Sequence, residues 1–146
     1  MRVEKGHVAG NELNGTSTAL NMGLGKMVSK KKDSIGMVLS QREGLTSEDG
    51  LRLVGVRPVD PSKPLTAGSH FLDNGAAPVA ANDGGWLTSV VYSPHLNSSI
   101  ALGYLKNGHS RTGQRMRAVN LLAKTEVEVE IVSPHFFDPE GDRLRG

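Results

Sequence analysis

Three places in the chain bring together residues that could do chemistry. The first is Glu4, within Val3-Glu4-Lys5-Gly6-His7. A carboxylate can accept two neighbouring N–H donors at once, and such charge-assisted pairs both bind and orient. The same residue also reads as a solvated glutamate. The second is Lys30-Lys31-Lys32, a cationic run suited to a polyanion and equally to a solvated face before a helix. The third joins Phe136-Phe137 to Arg143 near the C-terminus, which offers aromatic faces and a guanidinium, or simply the packing of a last loop.

Other chemistries find little support. The five histidines have no metal-ligand spacing, and there is no HExxH. No metal site is expected. Ser89 and Ser93 lack a nucleophile-elbow context, and no catalytic residue is assigned. Gly23-x-Gly25 lacks the third glycine and the preceding strand of a dinucleotide fingerprint, and no P-loop occurs.

Turn-rich β structure must position these groups. Gly84-Gly85-Trp86-Leu87-Thr88-Ser89-Val90-Val91-Tyr92-Ser93-Pro94 and Ile100-Ala101-Leu102-Gly103-Tyr104-Leu105 are two apolar runs around a polar turn, which predicts a hairpin. Strict alternation puts Trp86, Thr88, Val90 and Tyr92 on one face, and Leu87, Ser89 and Val91 on the other. Leu51 to Arg57, Gly68 to Leu72 and Gln114 to Val119 read as further strands. Thr125 to Val132 alternates cleanly, apolar in and glutamate out. Asn107-Gly108 is a turn signal. Spaced strands with almost no helix predict a mainly β, closed or nearly closed antiparallel barrel.

The first 45 residues read differently. Asn11-Glu12-Leu13-Asn14-Gly15-Thr16 is loop-like, and Gly23 to Ser29 reads as a short strand. Ser34 is placed to cap a short helix with Ile35, Val38 and Leu39 on its apolar stripe. Gly36 weakens that helix and Gly44 is expected to end it. Thr46 to Gly50 is a polar linker, which sets the expected division at residues 1–45 and 46–146.

Composition narrows the setting. There are 146 residues, with 17 basic and 15 acidic side chains, a formal charge of +2. That balance, with basic residues not interleaved with surface aromatics, argues against nucleic acid. The chain has no cysteine, which excludes disulfides and thiolate metal sites. No apolar run reaches the roughly 20 residues of a membrane helix, so the expected location is the cytoplasm, away from membrane.

The wording of the hairpin resembles a known family. Gly-x-Leu-Thr-Ser, Ser-Pro-x-Leu and Ile-Ala-Leu-Gly-Tyr are similar to the C-terminal barrel of the aminomethyltransferases, which include the glycine-cleavage T protein. Arg-Val-Glu-Lys-Gly-His and Gly-Leu-Gly-x-Met-Val-Ser-Lys-Lys-Lys-Asp-x-Ile-Gly resemble the end of the folate-binding body that precedes that barrel. The Glu-Lys-Gly-His opening, the Ser-Lys-Lys-Lys-Asp run and the ending Ser-Pro-x-Phe-Phe-Asp-Pro-Glu-Gly-x-Arg-Leu-Arg-Gly look most like the α subunit of heterotetrameric sarcosine oxidase. The resemblance implies a Greek-key-like barrel after a short α+β remnant of the folate-binding body, with most of that body upstream. It implies tetrahydrofolate as ligand, with Glu4 on the pterin and Lys32, Phe137 and Arg143 nearby. The spacing from the aromatic pair to Arg143 departs from the family pattern, and three lysines in a row leave the Lys32 register open. The complex so implied oxidises sarcosine at a flavin, with FAD/FMN and NAD sites and further subunits outside this chain, and tetrahydrofolate captures the released one-carbon unit. The chain alone is not expected to be catalytically competent. A T-protein-like aminomethyltransferase fragment and a non-catalytic folate-binding or assembly module remain the other readings.

Overall fold

The computed structural model describes residues 1–29 and 31–146. Six strands carry the fold: β1 (Leu51–Pro58), β2 (His70–Leu72), β3 (Gly85–Ser93), β4 (Ser98–Lys106), β5 (Arg115–Asn120) and β6 (Thr125–Val132). They close into an antiparallel barrel in the order β1-β4-β3-β2-β5-β6. Strands β2, β3 and β4 follow one another, and β1 lies beside β4, which is a Greek-key arrangement. Pairing of Gly55–Pro58 with Val129–Val132 closes the ring and removes the free sheet edges. The mainly β, Greek-key-like barrel expected from the sequence is therefore the observed fold.

The interior is filled by alternate residues of each strand. Val54 and Val56, Phe71, Leu87, Ala101 and Leu105, Met116 and Ala118, and Val129 and Ile131 form one buried cluster. In β6 the glutamates point outward, as expected. Strand β4 is buried on both faces along all but its last residue. Its inner face enters the barrel core, while Ile100 and Leu102 pack outside against Val3, Leu53, Val91 and Phe136. The hairpin is as predicted, with β3 and β4 paired from Gly85↔Leu105 to Ser93↔Ser98.

Its alternation, however, is interrupted. The register jumps between Leu87 and Ser89, so Thr88 is an extra residue in β3. Leu87 lies in the barrel core and Val90 packs against the same cluster, although strict alternation would separate them. A bulge of this kind turns consecutive side chains to one face. Where β3 begins, Gly85 has φ +137°, and a Cβ there would lie 1.9 Å from the Tyr104 carbonyl oxygen. Only glycine fits so close a strand crossing at that angle.

Ahead of the barrel, two expectations are corrected. Gly25–Met27 is a turn of 3-10 helix rather than part of a strand. The helix expected from Ser34 is reduced to two single turns, α1 (Met37–Ser40) and α2 (Glu43–Thr46). The cap position of α1 is Gly36, left-handed at φ 86°, not Ser34. Gly44 lies inside α2 instead of ending a helix. Ile35, Val38 and Leu39 are exposed, so among the described residues nothing covers the stripe that should have stabilised a longer helix. A last turn, α3 (Asp142–Arg145), closes the chain. Among the described residues no helix is long and apolar enough to cross a membrane.

Candidate functional site

The chain folds its two ends together over the β3–β4 hairpin. Residues 1–7 form a tight turn in which Gly6 N–H donates to the Val3 carbonyl and His7 N–H to the Arg2 carbonyl, at 3.0 and 2.9 Å. Val3 is the apolar anchor, only 5% exposed against Ile100 and Leu102. Gly6 has φ +72°, and a Cβ there would lie 2.5 Å from the Pro134 carbonyl oxygen. Glycine thus lets the turn lie flat on the C-terminal segment.

That contact is continued by polar bonds. The Glu4 carbonyl accepts the N–H groups of both Phe136 and Phe137, at 2.9 and 3.0 Å. Lys5 Nζ donates to the Asp138 carbonyl at 2.8 Å and pairs with its carboxylate at 3.1 Å. His135 Nδ1 lies 2.9 Å from the Lys5 carbonyl, so this nitrogen carries the proton.

Three of the four ligand residues expected from the sequence meet here. Glu4 Oε1 accepts the buried Ser93 hydroxyl at 2.5 Å, and Oε2 lies 3.1 Å from the Met1 ammonium. Those two hydrogen bonds, the serine first, hold the Glu4 carboxyl below the usual carboxylate range against the opposing effect of burial. Phe137 follows directly from the strap bonded to Glu4. The Arg143 guanidinium lies 4.9 Å from the Phe137 ring centre, within cation–π range. The His95 ring meets Phe137 edge-on at 4.8 Å. A carboxylate has about four lone-pair positions; Ser93 occupies one at Oε1 and the Met1 ammonium one at Oε2, which leaves two. The group can therefore accept a pair of ligand N–H donors beside an aromatic face and a cation.

Lys32 is not brought to this cluster. It is exposed ahead of α1, and among the described residues it makes no hydrogen bond or ion pair with Glu4, Phe137 or Arg143. Lys30 lies outside the described residues, and Lys31 is exposed.

One charged group escaped the sequence reading. Glu12, in the stretch that reads as loop, is 0% exposed. Its Oε1 accepts the hydroxyl of Ser89 at 2.5 Å and lies 2.6 Å from that of Thr88. Thr88 is also 3.0 Å from the Leu102 carbonyl, and with one proton it serves one acceptor at a time. Glu12 Oε2 accepts the Ala9 N–H at 2.9 Å and faces Arg2 Nη1 at 3.3 Å. Arg2 Nη2 donates to Ser89 Oγ at 2.7 Å, and the Tyr104 hydroxyl to the Glu12 carbonyl at 2.7 Å. Burial pushes the Glu12 carboxyl up, but the hydroxyls, the Ala9 N–H and the Arg2 charge outweigh it and hold the group low. The β3 bulge is the structural source of this site, because it presents Thr88 and Ser89 together.

A groove of about 500 Å³ adjoins the cluster, lined by the apolar Ile100, Val132 and Phe136 and by the charged Arg57, Arg115 and Glu130. It shares the 133–137 segment and the β3–β4 turn with the Glu4 site. Among the described residues no group of three or more His, Asp or Glu side chains could hold a metal ion.

Comparison with known proteins places this geometry. Residues 52–138 match the profile described as glycine cleavage T-protein C-terminal barrel domain. The chain belongs to this barrel family. The match takes in β1 from its second residue through β6 and Phe137, while Glu4, Glu12 and Arg143 lie outside it. Two curated relatives extend the barrel family's likeness to the ends of the chain. Sarcosine oxidase subunit alpha of Rhizobium meliloti is 46% identical over 99% of this chain and 15% of its own length. The subunit of the same name from Corynebacterium sp. strain U-96 is 35% identical over 100% of this chain and 15% of its own length. The chain thus spans about 15% of the relatives' length. Among solved structures, aminomethyltransferase T of the glycine cleavage system from Bartonella henselae shares the barrel-family fold, with TM-score 0.72 and 20% identity over 94% of this chain and 37% of that one.

Proposed function

We propose that the chain is the folate-binding C-terminal portion of a sarcosine oxidase α subunit, and that it helps tetrahydrofolate capture the one-carbon unit released from sarcosine. The observation that carries this reading is the Glu4 carboxylate, fixed by Ser93 and set beside the Phe137–Arg143 pair. A pterin presents a ring N–H and an amino group side by side, and a carboxylate accepts both. Phe137 offers the ring an aromatic face, and Arg143 adds a cation toward the anionic tail. Lys32 would join this site only through surfaces supplied by the rest of the subunit. The division at residues 1–45 and 46–146 belongs to the same reading: the first part as the end of a folate-binding body, the second as the barrel. FAD/FMN and NAD sites and the further subunits lie outside this chain, in a cytoplasmic complex. The chain alone is not catalytically competent, because the carbon–nitrogen oxidation takes place elsewhere in that complex.

Calorimetry with tetrahydrofolate on the assembled oxidase tests the proposal. Glu4→Gln keeps size but turns one acceptor into a donor that faces the pterin amino group. A hydrogen bond to a charged group is worth about 1.5–3 kcal/mol, so affinity should fall roughly 10- to 150-fold. Sarcosine oxidation should stay near its normal rate while product shifts from methylenetetrahydrofolate to free formaldehyde. Unchanged affinity in the variant would remove Glu4 from the site. Tight binding by the isolated chain would favour a free-standing folate module over a part of an oxidase.

A further inference from the structure

The proposal starts from a buried charge that the folate reading does not use. Glu12 is fully buried, yet it is not isolated from the site. Its carboxylate and Ser89 together hold the two terminal nitrogens of Arg2, at 3.3 and 2.7 Å. Arg2 Nη1 also donates to the His7 carbonyl at 3.1 Å, so one guanidinium spans the turn that carries Glu4. Two residues after Arg2, Glu4 reaches Ser93 on the same strand that supplies Ser89. Four residues of β-strand separate those serines, roughly 13 Å at about 3.3 Å per residue. The turn is therefore fastened to β3 at two separated points. Asn11 Nδ2, next to Glu12, adds a bond to the Thr88 carbonyl at 3.1 Å.

Ser93 and the 135–138 segment hold the turn from residue 4 onward, and the Arg2 attachment is what holds its first residues on β3. The second attachment fixes its angle, and with it the direction in which Glu4 presents its free lone pairs. The second attachment draws on negative charge, because Glu12 is the one charged acceptor among the three that Arg2 meets, the others being Ser89 Oγ and the His7 carbonyl, and bonds to a charged partner are the stronger ones. We propose that Glu12 is a positioning residue for ligand binding: through Arg2 it sets the orientation of the Glu4 turn. This rests on the folate reading above, with tetrahydrofolate as the probe.

The experiment compares Glu12→Gln, Arg2→Met and Glu4→Gln in the assembled oxidase. Three readouts are taken: tetrahydrofolate affinity by calorimetry, the turnover of sarcosine, and amide exchange of residues 2–7. Glu12→Gln also weakens the fold, so Arg2→Met is the second variant; the Arg2 side chain is 42% exposed and belongs to neither apolar cluster. Both variants should lose roughly 10-fold in affinity, the worth of one misaligned hydrogen bond to a charged group. Both should speed exchange in residues 2–7 and leave turnover unchanged. The double variant should lose no more than either alone, because the two act as one unit. Unchanged affinity in Glu12→Gln and Arg2→Met, with a loss in Glu4→Gln, would overturn the positioning role and leave the folate reading standing. Unchanged affinity in all three would overturn the folate reading and this proposal with it.

Discussion

Glu12 shows why a charged residue in a loop-like stretch can be read wrongly from sequence. Nothing in Asn11-Glu12-Leu13-Asn14 marks the glutamate as buried, since the groups that satisfy it come from Thr88 and Ser89, more than seventy residues away. Glu4 stood out through the resemblance of Arg-Val-Glu-Lys-Gly-His to a family motif and not through its surroundings, since the groups that meet it, Ser93 and the 136–137 segment, are as distant in the chain as those around Glu12. The pKa of Glu12 gives its role a pH signature. Its folded value is lowered from the ordinary glutamate value. A depressed value means stability that is present above the unfolded value and is lost as pH falls through the folded one. Glu12→Gln should therefore be the less stable protein at neutral pH, by about 2 kcal/mol for a buried hydrogen-bonded charge replaced by an amide. That gap should shrink as pH drops below ~4.3. Urea unfolding of both proteins from pH 7 to pH 3 measures it, and a gap independent of pH would mean that Glu12 is not ionised in the fold.

At the scale of elements, β6 and β3 make an instructive pair. Strand β6 has barrel core on one side and solvent on the other, so its apolar–glutamate alternation carries over directly into structure. Strand β3 is lined on its outer side by the N-terminal segment, and it contains a bulge that no alternation can announce. Leu87-Thr88-Ser89 reads as an ordinary strand, while in space the leucine enters the core and both hydroxyls reach Glu12. The helix expected between Ser34 and Gly44 failed for a related reason. Its apolar stripe was real, but Ile35 is 109% exposed and Val38 82% exposed, so no burial repays the cost of ordering more than single turns. Gly85 shows the opposite case, a local feature with a long-range cause. Its φ of +137° and the 1.9 Å approach of a Cβ to the Tyr104 carbonyl leave no room for a side chain. Gly85→Ala should cost about 3 kcal/mol or more, from backbone strain and displacement of β4. Thermal unfolding tests this, and a loss under about 1 kcal/mol, the typical effect of a point mutation, would show that the crossing can open at little cost.

The molecule as a whole divides its stability unequally between the two stretches that precede the barrel. Residues 1–13 are built into it: Val3 completes the outer apolar cluster, and the Glu12 carbonyl accepts the Tyr104 hydroxyl. Residues 24–46 make local turns whose large apolar side chains, Met27, Ile35, Val38 and Leu39, face outward. Between these stretches Asn21 is a fastening point, with its Nδ2 donating to the Leu51 carbonyl at 2.7 Å and its carbonyl accepting Leu53 N–H at 2.7 Å. The chain leaves the barrel surface after Asn21 and returns at Leu51, next to where it left. Residue 23 is two steps from Asn21 and residue 47 four steps from Leu51, so a linker of about eight glycine and serine residues, at up to roughly 3.5 Å each, suffices to join them. Such a variant should keep the barrel's cooperative unfolding, with a midpoint within about 4 °C of the parent, the shift expected from 1 kcal/mol or less. Deletion of residues 1–13 should do the reverse. It strips the cover from Ile100 and Leu102 and leaves the Ser89 hydroxyl without its acceptor, while Thr88 keeps the Leu102 carbonyl. The lost burial of Val3 alone is worth about 1.5–3 kcal/mol. Calorimetric unfolding of the two variants decides the matter: a linker variant that melts without cooperativity, or a deletion variant that melts like the parent, would show that the stability had been assigned to the wrong stretch.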